Sequence, residues 1–481
     1  MKLPDSWSRA DAVFDEGHLV SCAGLVPVMG LAERTGLSEL IGQRVRWKTC
    51  RVASAGANPA RKLSAIIAGM AAGADSIDDL DLIRCGGMRR LFGGVYASAT
   101  LGQLLREFTH GHTLQLASVL RAHLVNLVTT TGLLPGLAEQ AFIDVDSLLR
   151  PTFGHAKQGA SYGHTKLAGK QVLRKGLSPL AATISTRTGA PVIAGIRLRA
   201  GRAGSGKGAA SMVTDAVRTA RRAGASGAVL VRGDSAYGNS TLARACRRAG
   251  ARFSLVLVKN STVTKAIAAI PEEAWTPVHY PGAVTDPDTG ELISDAEVAE
   301  VPVFTAFAST PHPVTARLIV RRVRDQARLD ELFPVWRHHP FLTDSLEPAA
   351  VADVTHRRHA IIETVFADLI DGPLAHLPSG RFGANAAWAL CAAITHNLLR
   401  AAGSLASPAH AVARGATLRR DLIAVPGRLT RPQRRRVLHL PAHWPWAEPW
   451  TALWDAVFAT AHQPPPSTGH HRRTRPDQEP Q

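Results

Sequence analysis

The spacing of apolar positions changes character partway along the chain. From Ser98, Leu101, Leu104, Leu105 and Phe108 recur at three- and four-residue intervals with Thr100, Gln103 and Arg106 between them, which predicts an amphipathic helix with Ser98 as its N-cap. "NPARKLSAIIAGMAAGADSIDDLDLI" predicts helix, break and helix, and "HGHTLQLASVLRAHLVNLV" one more. Residues 1–135 therefore read as a helical unit. From residue 136 the period shortens. "AFIDVDSLL" is strand-like, "LAATISTRTGAPVIAGIRL" is two strands about a Thr-Gly turn, and "AASMVTDAVRTARRAG" is an amphipathic helix stopped by glycine. "AVLVRGD" and "RFSLVLV" are further strands on either side of the helix "STLARACRRAG".

Three strands, helix, strand, helix, strand is an α/β layout with a mixed sheet flanked by helices. The sheet unit occupies residues 136–260. Residues 261–345 are rich in proline and short β-like runs ("TPVHY", "EVPVFTAF", "TARLIVRRV") and read as a strand-rich insertion. The unit resumes over 346–401 with a predicted helix "HRRHAIIETVFADLI" and a buried apolar helix from Gly383 that carries Asn385, His396 and Asn397, polar groups that argue against a membrane span. Residues 402–481 are basic, and the final "HQPPPSTGHHRRTRPDQEPQ" has the composition of a disordered tail.

Charge narrows the function. Lys and Arg number 56 against 38 Asp and Glu, a net +18 that favours a polyanionic partner such as nucleic acid, although a GC-rich coding bias alone inflates arginine. Residues 1–135 then read as a DNA-binding domain, in which the polar face with Arg106 either enters a groove or is simply solvated. The five cysteines have no paired spacing, and the first residues lack an apolar signal core, so a cytoplasmic protein is expected. Asp75, Asp78, Asp79 and Asp81 suit the start of a helix better than a metal site. "GRAGSGKG" resembles a phosphate-binding loop, but Gly208 stands where a magnesium-holding hydroxyl belongs, leaving Lys207 as a surface contact to a phosphate backbone.

The candidate chemistry lies in three carboxylates. Asp144 and Asp146 point to one face of their strand, and Asp234 ends another, where the rival reading is a helix cap. Neighbouring strands lie about 4.8 Å apart, so one of the first pair can share ions with Asp234. Two divalent cations about 4 Å apart need such a fixed, oxygen-rich bridge. Glu363, bordering the apolar face of Ile362, Phe366 and Leu369, adds a third carboxylate from the predicted helix.

The order of "FIDVDSLL", "LRAGRAGSGKGAASMV", "LVRGDSAYG", "HRRHAIIETVFADLIDG" and "LPSGRFGANAAWALCAAITHNLLRA" resembles the DDE transposases of bacterial insertion sequences, in the group named for insertion sequence thirteen-eighty. The resemblance implies a ribonuclease-H-like catalytic core and cut-and-paste transposition on two Mg²⁺ ions, for which Mn²⁺ can substitute. It implies Asp146 (or Asp144), Asp234 and Glu363 as catalytic and metal-binding residues. The partners implied are double-stranded DNA, as terminal inverted repeats and target, and a second copy of the chain, in a nucleoid-associated protein of the bacterial cytoplasm. Relatives carry Thr two residues after the first aspartate, where this chain has Leu148. They also carry Tyr and Arg before the glutamate and Lys after it, where it has His356, His359 and Ile370. Phosphate contacts then fall to Arg232, Arg357, Arg358, Arg381 and the basic 419–436 run, and Trp275 or Trp336 either stacks on an extruded base or packs in the core. The rival reading is a catalytically silent, transposase-derived repressor.

Overall fold

Nine strands form one sheet in the computed structural model, which describes residues 10–47, 50–52, 54–154, 156–167, 170–278, 284–285, 292–293, 296–324 and 335–459. In chain order they are β1 (Gln140–Ser147), β2 (Leu180–Ser185), β3 (Val192–Arg197), β4 (Ala228–Gly233), β5 (Arg252–Val256), β6 (Thr276–Pro277), β7 (Ala296–Ala306), β8 (Val314–Arg324) and β9 (Trp336–Thr343). Across the sheet the order is β6-β7-β8-β9-β5-β4-β1-β2-β3. β1, β4 and β5 run parallel, and every other pairing is antiparallel. Because β1, β2 and β4 are covered on both faces, they are mostly apolar, with Thr183 and Ser185 of β2 buried among the apolar side chains.

The helices are α1 (Leu25–Arg34), α2 (Leu37–Arg44), α3 (Pro59–Ala71), α4 (Ser98–Glu107), α5 (His110–Thr131), α6 (Ala209–Arg222), α7 (Ser240–Arg248), α8 (Ser261–Ala268), α9 (Ala349–Arg357), α10 (Ile362–Ile370), α11 (Phe382–Ala406) and α12 (Ala447–Phe458), with a few shorter turns. α11 is apolar nearly all round and lies at the centre. It packs on α1, α3, α4, α5 and α12 and on β3, so helices from both ends of the chain share one hydrophobic cluster with the sheet. Asn397 of α11 accepts from Ile193 N (2.7 Å) and donates to Ile193 O (2.8 Å), standing in for the missing neighbour of edge strand β3. Among the described residues no helix is long and apolar enough to cross a membrane.

Several expected elements take a different form. The segment expected as one helix over 356–370 is broken: α9 ends at Arg357, a 3₁₀ turn spans Arg358–Ile361, and α10 follows. The insertion does not stand apart. It begins with α8, and its strands β6 to β9 continue the main sheet through an antiparallel pairing of β9 with β5. Ser98 is not an N-cap but the first residue of α4. Its N–H and hydroxyl both donate to Asp81, which also pairs with Arg84 (2.7 Å), while Asp79 accepts from Ser76 N, so these acids close a 3₁₀ turn at Asp78–Arg84. In the basic C-terminal region, Gly427–Thr430 pairs with Val437–His439 on one side and with Leu19–Val20 on the other. The expected disordered tail lies outside the described residues.

Candidate active site

β1 and β4 lie side by side in parallel, with Asp144 opposite Arg232 and Val145 opposite Gly233. The next residue on each strand is Asp146 and Asp234, so both carboxylates leave the sheet at the carboxyl ends of two adjacent parallel strands. They are sixth and seventh of the nine strands, and ligand sites of open α/β sheets form at the carboxyl ends of such parallel neighbours. Asp146 Oδ1 accepts from Ser147 N (2.6 Å) and Asp234 Oδ1 from Ala236 N (2.9 Å), which anchors one oxygen of each. The helix-cap role considered for Asp234 belongs instead to Asn239, whose Oδ1 accepts from Leu242 N at the start of α7.

Close enough to feel both carboxylates is Tyr237, a residue for which the sequence analysis has no role. It is fully buried, and its hydroxyl makes no hydrogen bond of normal geometry, with Ser147 and Arg199 beside it. Burial first, then the negative fields of Asp146 and Asp234, push its pKa upward. The available signal was an aromatic three residues after Asp234 in a turn otherwise made of small and polar residues.

Asp144 is not available as an alternative first aspartate. It is 1% exposed, and its two oxygens accept from Arg232 Nε (2.7 Å) and Nη2 (2.8 Å). Burial pushes its carboxyl upward and the guanidinium pulls it back. Arg232 is likewise 1% exposed, so it cannot meet DNA. It stacks on Phe142, and its Nη1 donates to Thr355 O (2.7 Å), one of the carbonyls left open at the end of α9. Beside it His359 Nδ1 bonds His356 O (2.8 Å), a carbonyl that also accepts from a backbone N–H at the helix end, so side chains reinforce the end of α9 before the 3₁₀ turn.

Glu363 is on the first turn of α10, which abuts β1 and is fixed from behind by Asp368. Asp368 accepts from Arg400 Nη2 and Arg414 Nε (both 2.6 Å) and Gly415 N (3.1 Å). Burial works against this carboxylate, but Arg414 and Arg400 hold its pKa below the usual range. The Glu363 side chain is exposed. Among the described residues, no three or more His, Cys, Asp or Glu side chains are grouped closely enough to hold a metal ion. The structure thus brings Asp146 and Asp234 to one edge and Glu363 to the helix beside it, without closing the three on a common point.

Cations line the approach. Arg197, Arg199, Arg202 and Lys207 border an open groove of about 700 Å³, and the charge of Asp146 acts on Arg199. Arg199 donates to the carbonyls of Gly204, Ser205 and Lys207, so the "GRAGSGKG" loop turns its oxygens inward onto a guanidinium, the reverse of a phosphate cradle. Lys207, Arg106, Arg358 and Arg381 are exposed, whereas Arg357 is engaged by buried Asp353 (3.0 Å). Trp275 and Trp336 sandwich Arg322, whose guanidinium lies 4.3 and 4.4 Å from their rings and pairs with Glu272 and Glu297. Each ring therefore gives a face to Arg322, an arrangement different from both base stacking and plain apolar packing.

The sequence model of the family described as "Transposase DDE domain group 1" matches residues 4–461. No curated protein matches the chain.

Proposed function

Since the chain belongs to the transposase DDE domain family, we propose that it cuts DNA at the ends of its own element and joins the freed 3′ ends to target DNA, by a cut-and-paste route on a ribonuclease-H-like core. The observation that carries this reading is the emergence of Asp146 and Asp234 from adjacent parallel strands, the first of which the Glu363 helix abuts. The run of three antiparallel strands followed by two parallel ones, each reached through a helix, supports the core assignment.

The residues suit hard divalent cations: carboxylate oxygens in a polar edge, with no sulfur or imidazole required. Asp146, Asp234 and Glu363 would hold Mg²⁺, or Mn²⁺ in its place. Bound there, the ions supply the acidity that activates water and the positive charge that stabilises a leaving 3′ oxygen. The chain's own groups do the rest. Ser147 N and Ala236 N fix one oxygen of each aspartate. The groove cations hold the phosphates on either side of the scissile bond in register. The helix anchor at Asp368 sets the position from which Glu363 approaches. Pairing of two element ends requires two copies of the chain, and the site of action is the bacterial nucleoid.

One observation favours a second reading. The exposed Glu363, not gathered with the aspartates, is what a DNA-binding repressor that has lost catalysis would present. Incubating purified protein and Mg²⁺ with a plasmid carrying the gene and its flanking DNA separates the two. The transposase reading expects breaks at the element ends that Asp234→Ala abolishes while DNA binding persists. Binding without breaks in the native protein favours the repressor, and undiminished cutting by Asp234→Ala refutes the assigned site.

A further inference from the structure

From Ser147 to Thr214 the chain contains eleven Lys or Arg residues and no Asp or Glu. Part of this stretch leaves the main sheet as a ribbon, in which Ser161–Leu167 and Lys170–Leu177 pair antiparallel with Tyr162 opposite Lys175 and His164 opposite Leu173. Side chains alternate across a strand, so these four share one face. Tyr162 is 67% and Leu173 60% exposed, and His164 and Lys175 are exposed beside them. An aromatic and an aliphatic side chain held out among cations on a paired ribbon have the makings of a contact surface.

The ribbon is rigidly rooted. A Cβ on Gly163 would come within 2.2 Å of Gly201 O, and one on Gly201 within 2.1 Å of Ser161 O, so backbone lies directly on backbone and only glycine fits. Arg202 N also donates to Ser161 Oγ (2.9 Å). Gly201 belongs to the loop that carries the basic groove beside Asp146. Root and groove are therefore one continuous surface, and the ribbon projects from it.

We propose that the paired strands Ser161–Leu167 and Lys170–Leu177 are a DNA-gripping arm. Its Tyr162, His164, Leu173 and Lys175 face lies in the groove of a duplex whose backbone runs on through the cationic groove to the carboxylates. Arg150–Pro151 adds a short third strand only at the root, opposite Leu177 and Gly176, so beyond it the ribbon is two strands wide, a width that the major groove admits. A surface with no carboxylate complements phosphate, and it repels another copy of itself. This rests on the reading of the chain as a DNA-cutting protein.

The test is the affinity of the full chain for a fluorescent duplex of the gene's flanking DNA, measured over a range of salt. Tyr162→Ser with Lys175→Glu alters two exposed side chains and leaves the thermal midpoint unchanged. The arm predicts at least a tenfold weaker affinity and a plot of log K against log salt shallower by about one unit for the lost cation. Asp234→Ala binds as the native chain does. Native affinity in the double variant overturns the arm. So does unchanged affinity with lost self-association in sedimentation, which would give the face to a second copy. If binding needs the ribbon face but Asp234→Ala cuts as fast as native protein, the arm stands and the carboxylate assignment falls.

Discussion

Asp144 and Arg232 are locked across neighbouring strands, so removing either one strands a buried charge. Arg232→Met is expected to cost about 3–5 kcal/mol of unfolding free energy in denaturant titration, because Asp144 is left unpaired. Adding Asp144→Leu recovers most of it. The folded fraction of the single variant keeps native DNA affinity; a large loss of affinity without destabilisation would return Arg232 to the DNA surface. Tyr237 makes the opposite prediction. Its hydroxyl is buried without a hydrogen bond, so Tyr237→Phe leaves the thermal midpoint at or above the native value, whereas a loss of more than about 1 kcal/mol would show the hydroxyl to be bonded. The placement of Asp146 and Asp234 side by side at strand ends was readable at the residue scale from the apolar runs that precede each of them. Arg232 was misread because the alternation that puts Asp144 and Asp146 on one face says nothing about which of them lies under a helix. That burial is decided by α9, more than a hundred residues away, and a charged residue in a strand looks the same from the sequence whether its partner is phosphate or carboxylate.

Strands and helices with a single strong period came through intact: β1 to β5, α6 and α7, and α4 with its buried Leu101, Leu104, Leu105 and Phe108. The failures are places where a side chain from elsewhere replaces a local signal. The α9–α10 break has neither glycine nor proline within it; Arg232 and His359 reinforce the helix end there. β9 escaped notice because Pro340 and the His338-His339 pair hide its alternation, and its place in the sheet comes from pairing with β5 and β8. Asn397 offers a test at this scale. Replacing it with alanine leaves the N–H and C=O of Ile193 unpaired under α11, an expected cost of about 1–3 kcal/mol per group in chemical denaturation. Hydrogen exchange should become faster at Ile193 in particular. Unchanged protection there would mean that α11 covers the edge by apolar packing alone.

Buried imidazoles link the interior of the whole molecule to pH, His123 and His396 among them, with His356 lowered by burial in the same direction. His123 bonds the Thr35 hydroxyl (2.8 Å) between helices, and burial lowers its pKa to about 3. His396 lies against Asp368, Arg400 and Arg414, and burial, followed by Arg400, lowers it to about 4. Both folded values lie below the unfolded histidine value near 6.5, so the unfolded chain binds more protons throughout that window. Their contribution is complete above pH 6.5 and declines as pH falls, by about 1.4 kcal/mol per unit for each group, until the folded value is reached. Because the raised carboxyls of Asp144 and Asp353 act in the opposite direction, the test is a comparison: from pH 7 to pH 4.5 the unfolding free energy should fall more in the native chain than in a variant with His123 and His396 replaced by Gln, and parallel profiles would contradict the assignment.

The central claim concerns oxygen atoms far apart in the chain acting on one phosphodiester, and anomalous diffraction from crystals grown with Mn²⁺ and a duplex carrying the element end locates them directly. The account predicts manganese peaks about 2.1 Å from carboxylate oxygens of Asp146 and Asp234, with Glu363 swung in to complete the set. Peaks elsewhere, or DNA bound at this edge with the aspartates bare and Glu363 still turned to solvent, would contradict it.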